Sequence, residues 1–200
     1  MCNLYTTKKP AAEIARFFHV ESKRSLNFAE QFYPGYSGLV IADGEVRSMI
    51  WVFPFQQIRK KTEKPLKPKP VNDTRTDKLD TFFGRYSFEE RRCPILVSAF
   101  AEAEGPRGAM TRTWMTLPGE EVFTVAGIWH DSEEWVACYS MVMTDANKQV
   151  STIHKRMPVI LDRASERAHL LEGTSRQAKE VCVPFKGGLC IEWTEEEWAK

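Results

Sequence analysis

The sequence has no apolar stretch approaching the roughly 18–20 residues that a membrane helix needs. Its opening, MCNLYTTKKP, has no apolar segment of the kind a secretory signal uses, so a cytoplasmic protein is expected. Cysteine is sparse and irregularly placed, at positions 2, 93, 138, 182 and 190, with no C-x-x-C pair. That pattern argues against a structural zinc site and against a disulfide framework. Cys93, Cys138, Cys182 and Cys190 read as small packing residues. Neither type of Gly-rich nucleotide loop is present, and there is no H-E-x-x-H. No metal or organic cofactor is expected, and the chain has no internal repeat.

What is present fits an ordinary globule. Of 200 residues, 42% are hydrophobic and 28% charged, which suits one domain over residues 1–200 and argues against disorder. The net charge of +1 hides an asymmetry, because the first hundred residues carry 17 Lys and Arg against 11 Asp and Glu. The sharpest basic cluster, RKKTEKPLKPK at 59–69, is also the one biased segment. It reads as extended chain and as a loose phosphate contact without sequence readout, or as a plain solvated loop.

Proline at position 10 ahead of AAEIARFF predicts a helix. Asp43-Gly44, set between apolar runs, predicts a two-residue hairpin. PILVSAF (94–100), VFTVAGIW (122–129), WVACYSMVM (135–143) and MPVIL (157–161) read as strands, with HDSEE as a turn. Residues 162–172 and 174–181 read as helices, and Thr194 with Glu197 as the capping box of a last helical turn. Strands and helices do not alternate regularly. The expected class is therefore α+β, around a curled, mostly antiparallel, barrel-like sheet with flanking helices and a helical part over 162–200.

Cys2 has chemistry that an internal cysteine lacks. Loss of Met1 leaves an α-amine and a thiol on neighbouring carbons. The amine condenses with an aldehyde to an imine, the thiol adds to the imine carbon, and a five-membered thiazolidine closes. The amine titrates near ~7.7 and the thiol near ~8.5, so both are partly reactive at neutral pH. Attack of the same residue on an amide is the other option.

MCNLY at 1–5, VND at 71–73, RRCPILVSAFAEA at 91–103, FTVAGIW at 123–129 and IHKRMPVIL at 153–161 occur in that order. Together they resemble the SOS-response-associated peptidase (SRAP) family, whose members shield abasic sites in single-stranded DNA. The resemblance covers most of residues 1–161 and weakens beyond them. It implies a site made of Cys2, Asn72, Glu102 and His154. It also implies a covalent thiazolidine link between Cys2 and the ring-opened abasic sugar, and self-removal of Met1. The implied partner is single-stranded DNA containing abasic sites. The protein is expected to be a monomer, with no membrane attachment and with nucleoid association when bound.

The residue types suit these roles. Glu102, just past an apolar strand, is placed to have a raised pKa and donate a proton to the closed sugar. His154 titrates near neutrality and is suited to shuttling protons. Asn72 does not ionise and is suited to orienting the amine or a sugar hydroxyl. Arg75, Arg85 and Arg156 lie beside the matched motifs as candidate phosphate contacts, although Arg156 also reads as a structural ion pair. Trp51 opens WVFP, which resembles the family's W-G-L-x-P loop, and is either a wedge stacking on a base beside the lesion or a core residue.

The chain departs from the family pattern at several positions. Asn3 stands where Gly is common, Arg75 sits one residue later than in N-x-R, Val52 replaces a Gly, and alanines flank Glu102. Two rival readings follow: a thiol peptidase or amidase using Cys2 and His154 on other peptides, and a relative that binds single-stranded DNA without crosslinking.

Overall fold

The computed structural model describes residues 2–22, 29–55, 59, 62, 64, 66, 69–81, 84–132 and 136–198. Most of the 59–69 basic segment, residues 133 and 134 of the expected HDSEE turn, and residue 135 at the start of the expected 135–143 strand lie outside them.

In chain order the strands are β1 (Leu4–Thr6), β2 (Gln31–Phe32), β3 (Ser37–Ala42), β4 (Glu45–Trp51), β5 (Phe53–Phe55), β6 (Lys69–Val71) and β7 (Asp73–Arg75). They continue with β8 (Arg92–Val97), β9 (Ala99–Glu104), β10 (Thr111–Thr116), β11 (Phe123–Ser132), β12 (Val136–Asp145), β13 (Arg156–Pro158), β14 (Ile160–Leu161) and β15 (Cys190–Glu197). The helices are α1 (Ala11–Phe17), α2 (Arg85–Glu90), α3 (Ala164–Leu171) and α4 (Ser175–Val181), with 3₁₀ turns at Thr76–Lys78 and Val150–Thr152.

The hairpin forms where Asp43-Gly44 predicts it. Ala42 faces Glu45 across the turn, and Asp43 and Gly44 take positive φ of 52° and 75°. That two-residue geometry matches the right-handed twist of the strands it joins. From this hairpin the strands run round in the order β4, β3, β8, β11, β12. A parallel pairing of β12 with β4, Tyr139 opposite Trp51, closes the ring. The result is a five-stranded barrel with β7 and β13 added to β12 and β14 to β11. A second, antiparallel sheet has the order β15-β10-β9-β1-β2.

Alternation along the strands divides the core. One face (Val40, Met49, Trp51, Ile95, Val125, Tyr139, Met141) joins Tyr5, Phe32, Phe100 and Met115 of the second sheet in one buried cluster. The opposite face is covered by helices. Leu39, Ile41 and Leu96 pack on Ala11, Ile14 and Ala15 of α1, while Ala126, Ile128 and Val142 pack with Leu170, Ala178 and Cys182 from α3, α4 and beyond. This is the period-2 pattern expected of a barrel with one face turned inward and the other covered. Where the two sheets meet, Tyr5 stacks on Phe32 and meets Trp51 edge-on, and its hydroxyl bonds that of Tyr139. Gly38 lies directly against both hydroxyls, and a side chain there would collide with them.

The helical expectation for residues 162–200 holds for α3 and α4 but fails at the end. Thr174 caps α4 as a box with Gln177, whereas Cys190–Glu197 is a strand paired with β10. The Thr194 hydroxyl donates to the Arg112 carbonyl oxygen, 2.8 Å away, instead of capping a helix. The open edge of β10 presents a row of unpaired backbone groups, and satisfying them outweighs a four-residue local signal. No helix among the described residues is long and apolar enough to cross a membrane.

Candidate active site

The register of β1 on β9 builds the site. Leu4 faces Ala101 and Tyr5 faces Phe100, so the residues ahead of β1 run alongside Glu102. Cys2 is fully buried, and its thiol donates to the Leu4 carbonyl oxygen at 3.5 Å.

Asn72 stands at the junction of β6 and β7. Its carbonyl oxygen accepts from the Met141 N–H at 3.0 Å, the Trp51 indole N–H at 2.9 Å and the Ser140 hydroxyl at 3.1 Å. With its backbone fixed on three sides, its side-chain amide donates to the Cys2 carbonyl oxygen at 3.1 Å and to Asn3 Oδ1 at 2.9 Å. Asn72 therefore holds the chain start itself. Asn3, a departure from the family pattern, supplies half of that clamp.

His154 follows the second 3₁₀ turn, where its N–H bonds the Val150 carbonyl oxygen at 2.8 Å. Its Nδ1 lies 3.0 Å from the Arg156 carbonyl oxygen and 3.2 Å from the Arg156 backbone nitrogen. The tautomer decides which contact is the hydrogen bond. The same nitrogen is 3.8 Å from Glu102 Oε1. Thus Cys2, Asn72, Glu102 and His154, spread over 150 residues of chain, meet at one place.

Burial dominates the electrostatics. Glu102 is 3% exposed, and desolvation pushes its carboxyl up to about 7. Burial likewise holds the Cys2 thiol well above the ordinary cysteine range, with the nearby Glu102 and Asp73 charges adding to it. His154 is lowered, again mainly by burial. At neutral pH the thiol and imidazole are therefore uncharged, and Glu102 is poised between acid and base. Beside them sits a group that the sequence motifs did not single out, the buried carboxyl of Asp73.

The candidate DNA contacts divide. Trp51 has no exposed surface. It lies against Tyr139 in parallel stacking and against Tyr5 edge-on, so its ring has no face to offer a base. The wedge reading is corrected accordingly: Trp51 is core and positions Asn72 through its indole N–H. Val52 and Phe53 of the same loop are buried too. Arg75 and Arg156 flank β12 on its two edges, opposite Met143 and Asp145. Each has an acid partner, Asp77 at 2.6 Å and Asp145 at 3.6 Å. Arg85 is on α2, which packs against β8 and β11, and pairs with Glu89 at 3.0 Å. The arrangement brings Arg75 and Arg156 toward the chain-start cluster and leaves Arg85 on another element. Among the described residues no group of three or more Cys, His, Asp or Glu side chains is arranged to hold a metal ion.

A sequence model of the SOS response associated peptidase (SRAP) family matches residues 1–195. The chain belongs to that family. The SRAP match runs well past residue 161, where the short motifs give out, and takes in α3, α4 and most of β15.

Solved structures share the SRAP fold seen here. One from Bacteroides thetaiotaomicron superposes with a TM-score of 0.80 at 16% identity, covering 96% of this chain and 91% of that one. One from Bordetella bronchiseptica gives 0.79 at 19% identity, covering 96% and 99%. A phage-related protein from the same organism gives 0.69 at 11% identity, covering 97% and 94%. No match was found among curated proteins.

Proposed function

We propose that this SRAP chain binds single-stranded DNA at abasic sites. Once Met1 is removed, it joins the lesion through Cys2 as a thiazolidine and shields it. The observation that carries this reading is the burial of Cys2 beside Glu102, a carboxyl tuned to about 7.

The chemistry follows from these groups. Glu102 in its acid form protonates the ring oxygen of the closed sugar, while its carboxylate form takes the anomeric hydroxyl proton, so the aldehyde opens. The Cys2 amine adds to the carbonyl carbon, and the hydroxyl formed there leaves as water on taking a proton from Glu102. The thiol sulfur then bonds the imine carbon, and its proton returns to the carboxylate. One aldehyde and one aminothiol give one thiazolidine and one water. A protonated thiol suits this order, because the amine attacks first. His154, neutral and with its Nδ1 3.8 Å from Glu102 Oε1, relays protons to and from that carboxyl. Asn72 fixes the approach by holding the Cys2 carbonyl. The peptide bond on the amino side of Cys2 borders the same groups, so self-removal of Met1 is part of the proposal.

Affinity comes from phosphates. Arg75 and Arg156 exchange a carboxylate partner for a phosphate, with no reading of sequence. Arg156→Ala is expected to weaken noncovalent binding to undamaged single strands and to reduce the slope of log affinity against log salt by about 0.7. Fluorescence anisotropy over a salt series measures both.

The reading is tested by incubating trimmed protein with a single strand carrying one abasic site and running a denaturing gel. A retained band is expected. Its absence with correctly trimmed, folded protein would overturn the proposal, and Cys2-dependent hydrolysis of peptides in trans would favour a general peptidase instead.

A further inference from the structure

Asp73 is 7% exposed, and neither of its carboxylate oxygens has a hydrogen-bond partner among the described residues. An ionisable group buried without a partner costs stability, and its presence calls for an explanation. Surface turns need no such residue, and β7 would pair with β12 through its backbone whatever side chain stood here.

Its location suggests the task. Asp73 directly follows Asn72, whose amide grips the Cys2 carbonyl. The Asp73 charge reaches Cys2, and the Glu102 charge reaches Asp73. Two carboxyls thus flank the start of the chain, one from β9 and one from β7. The groups facing Asp73 are the Cys2 end and Glu102, with His154 beyond Glu102. On β12, Tyr139 has its hydroxyl committed to Tyr5. Arg75, Asp77, Arg156 and Asp145 form their own exposed pairs farther along β7 and β12.

We propose that Asp73 is the proton partner of the Cys2 α-amine exposed by loss of Met1. The inference rests on the crosslinking reading and divides its proton transfers between two carboxyls. The α-ammonium gives one proton to the Asp73 carboxylate and becomes the free amine. The nitrogen lone pair forms the bond to the sugar carbonyl carbon. Asp73 then hands that proton to the developing alkoxide and takes one from the nitrogen, so it ends the step holding the ammonium's surplus proton, which it releases to solvent. Glu102 keeps the tasks of opening the sugar and expelling water. Without Asp73 the amine must lose its proton to solvent, and capture slows wherever the amine is protonated.

The test is the rate of capture of an abasic single strand from pH 6 to 9, for trimmed wild-type protein and Asp73→Asn, with folding checked by thermal melting. The variant is expected to be about tenfold slow at pH 6.5, with the deficit closing by pH 9. A deficit equal at every pH, or none, would overturn the proposal while leaving wild-type capture, and hence the crosslinking reading, intact. Failure of the wild type to capture would overturn both. Should Asp73→Asn not fold, carbon-13 titration of the Asp73 carboxyl before and after enzymatic trimming of Met1 decides. A downward move on trimming supports the proposal, and an unchanged titration overturns it.

Discussion

Cys2→Ala removes the denaturing-gel band completely, a loss of at least 100-fold in covalent capture, while salt-sensitive noncovalent binding persists. The side chain accepts no hydrogen bond on which the fold depends. Its thiol donates one weak bond to Leu4, and Asn72 grips the backbone carbonyl, which alanine retains. The binding groups, Arg75 and Arg156, are on other strands. The variant keeps the amine and so forms an imine that reverses; without sulfur the ring does not close. Brief borohydride treatment of the mixture should therefore trap a band that untreated Cys2→Ala lacks. Loss of both covalent capture and noncovalent binding would point to a folding defect.

Glu102→Gln has opposite effects on rate and stability. Capture should fall by about 10²–10⁴-fold, the usual range for a positioned acid or base. Stability should rise at alkaline pH, and the sign follows from linkage. The carboxyl is raised from an ordinary 4.5 to about 7 by burial, so the folded state holds its proton more tightly than the unfolded chain does. The wild type has its full stability below about pH 4.5 and loses the difference as pH rises through about 7. Glutamine, shaped like the protonated acid, does not ionise and avoids that loss. The ceiling is about 3 kcal/mol above pH 8, or several degrees in Tm for a chain of this size. Melting curves at pH 4 and pH 8.5 check it: the variant and wild type should nearly coincide at the lower pH and separate at the higher. Coincidence at both would mean that Glu102 is not tuned by burial.

The elements readable in the sequence were those with local punctuation. Asp43-Gly44 marks its hairpin, Pro10 marks α1, and runs rich in apolar residues mark β8, β11 and β12. The ones missed lack such marks. β10 (TRTWMT) opens with three polar residues, and β15 carries five charged or hydroxyl residues in CIEWTEEE; β10 is a strand because β9 and β15 pair with it, and β15 because β10 does. The four candidate site residues are named in the sequence by their flanking motifs, and the structure brings them together. Asp73 was not legible there, because its burial comes from β12 and from the chain start, neither of which is near it in sequence. It is the last residue of the VND motif, but that motif is read there for Asn72 alone. Trp51 shows the converse. Its sequence neighbourhood invites an exposed wedge, yet closure of the barrel on β12 puts Tyr139 against one face of its ring.

The parallel closure of β12 on β4 has a consequence for the newborn protein. The ring cannot seal until the segment around residue 145 has left the ribosome, and His154 emerges later still. Cys2, on the proposed mechanism, is thus without Glu102 and His154 in place until the ring has closed. If Cys2 acts as proposed, a fragment that stops before His154 lacks part of the site and should capture an abasic strand poorly.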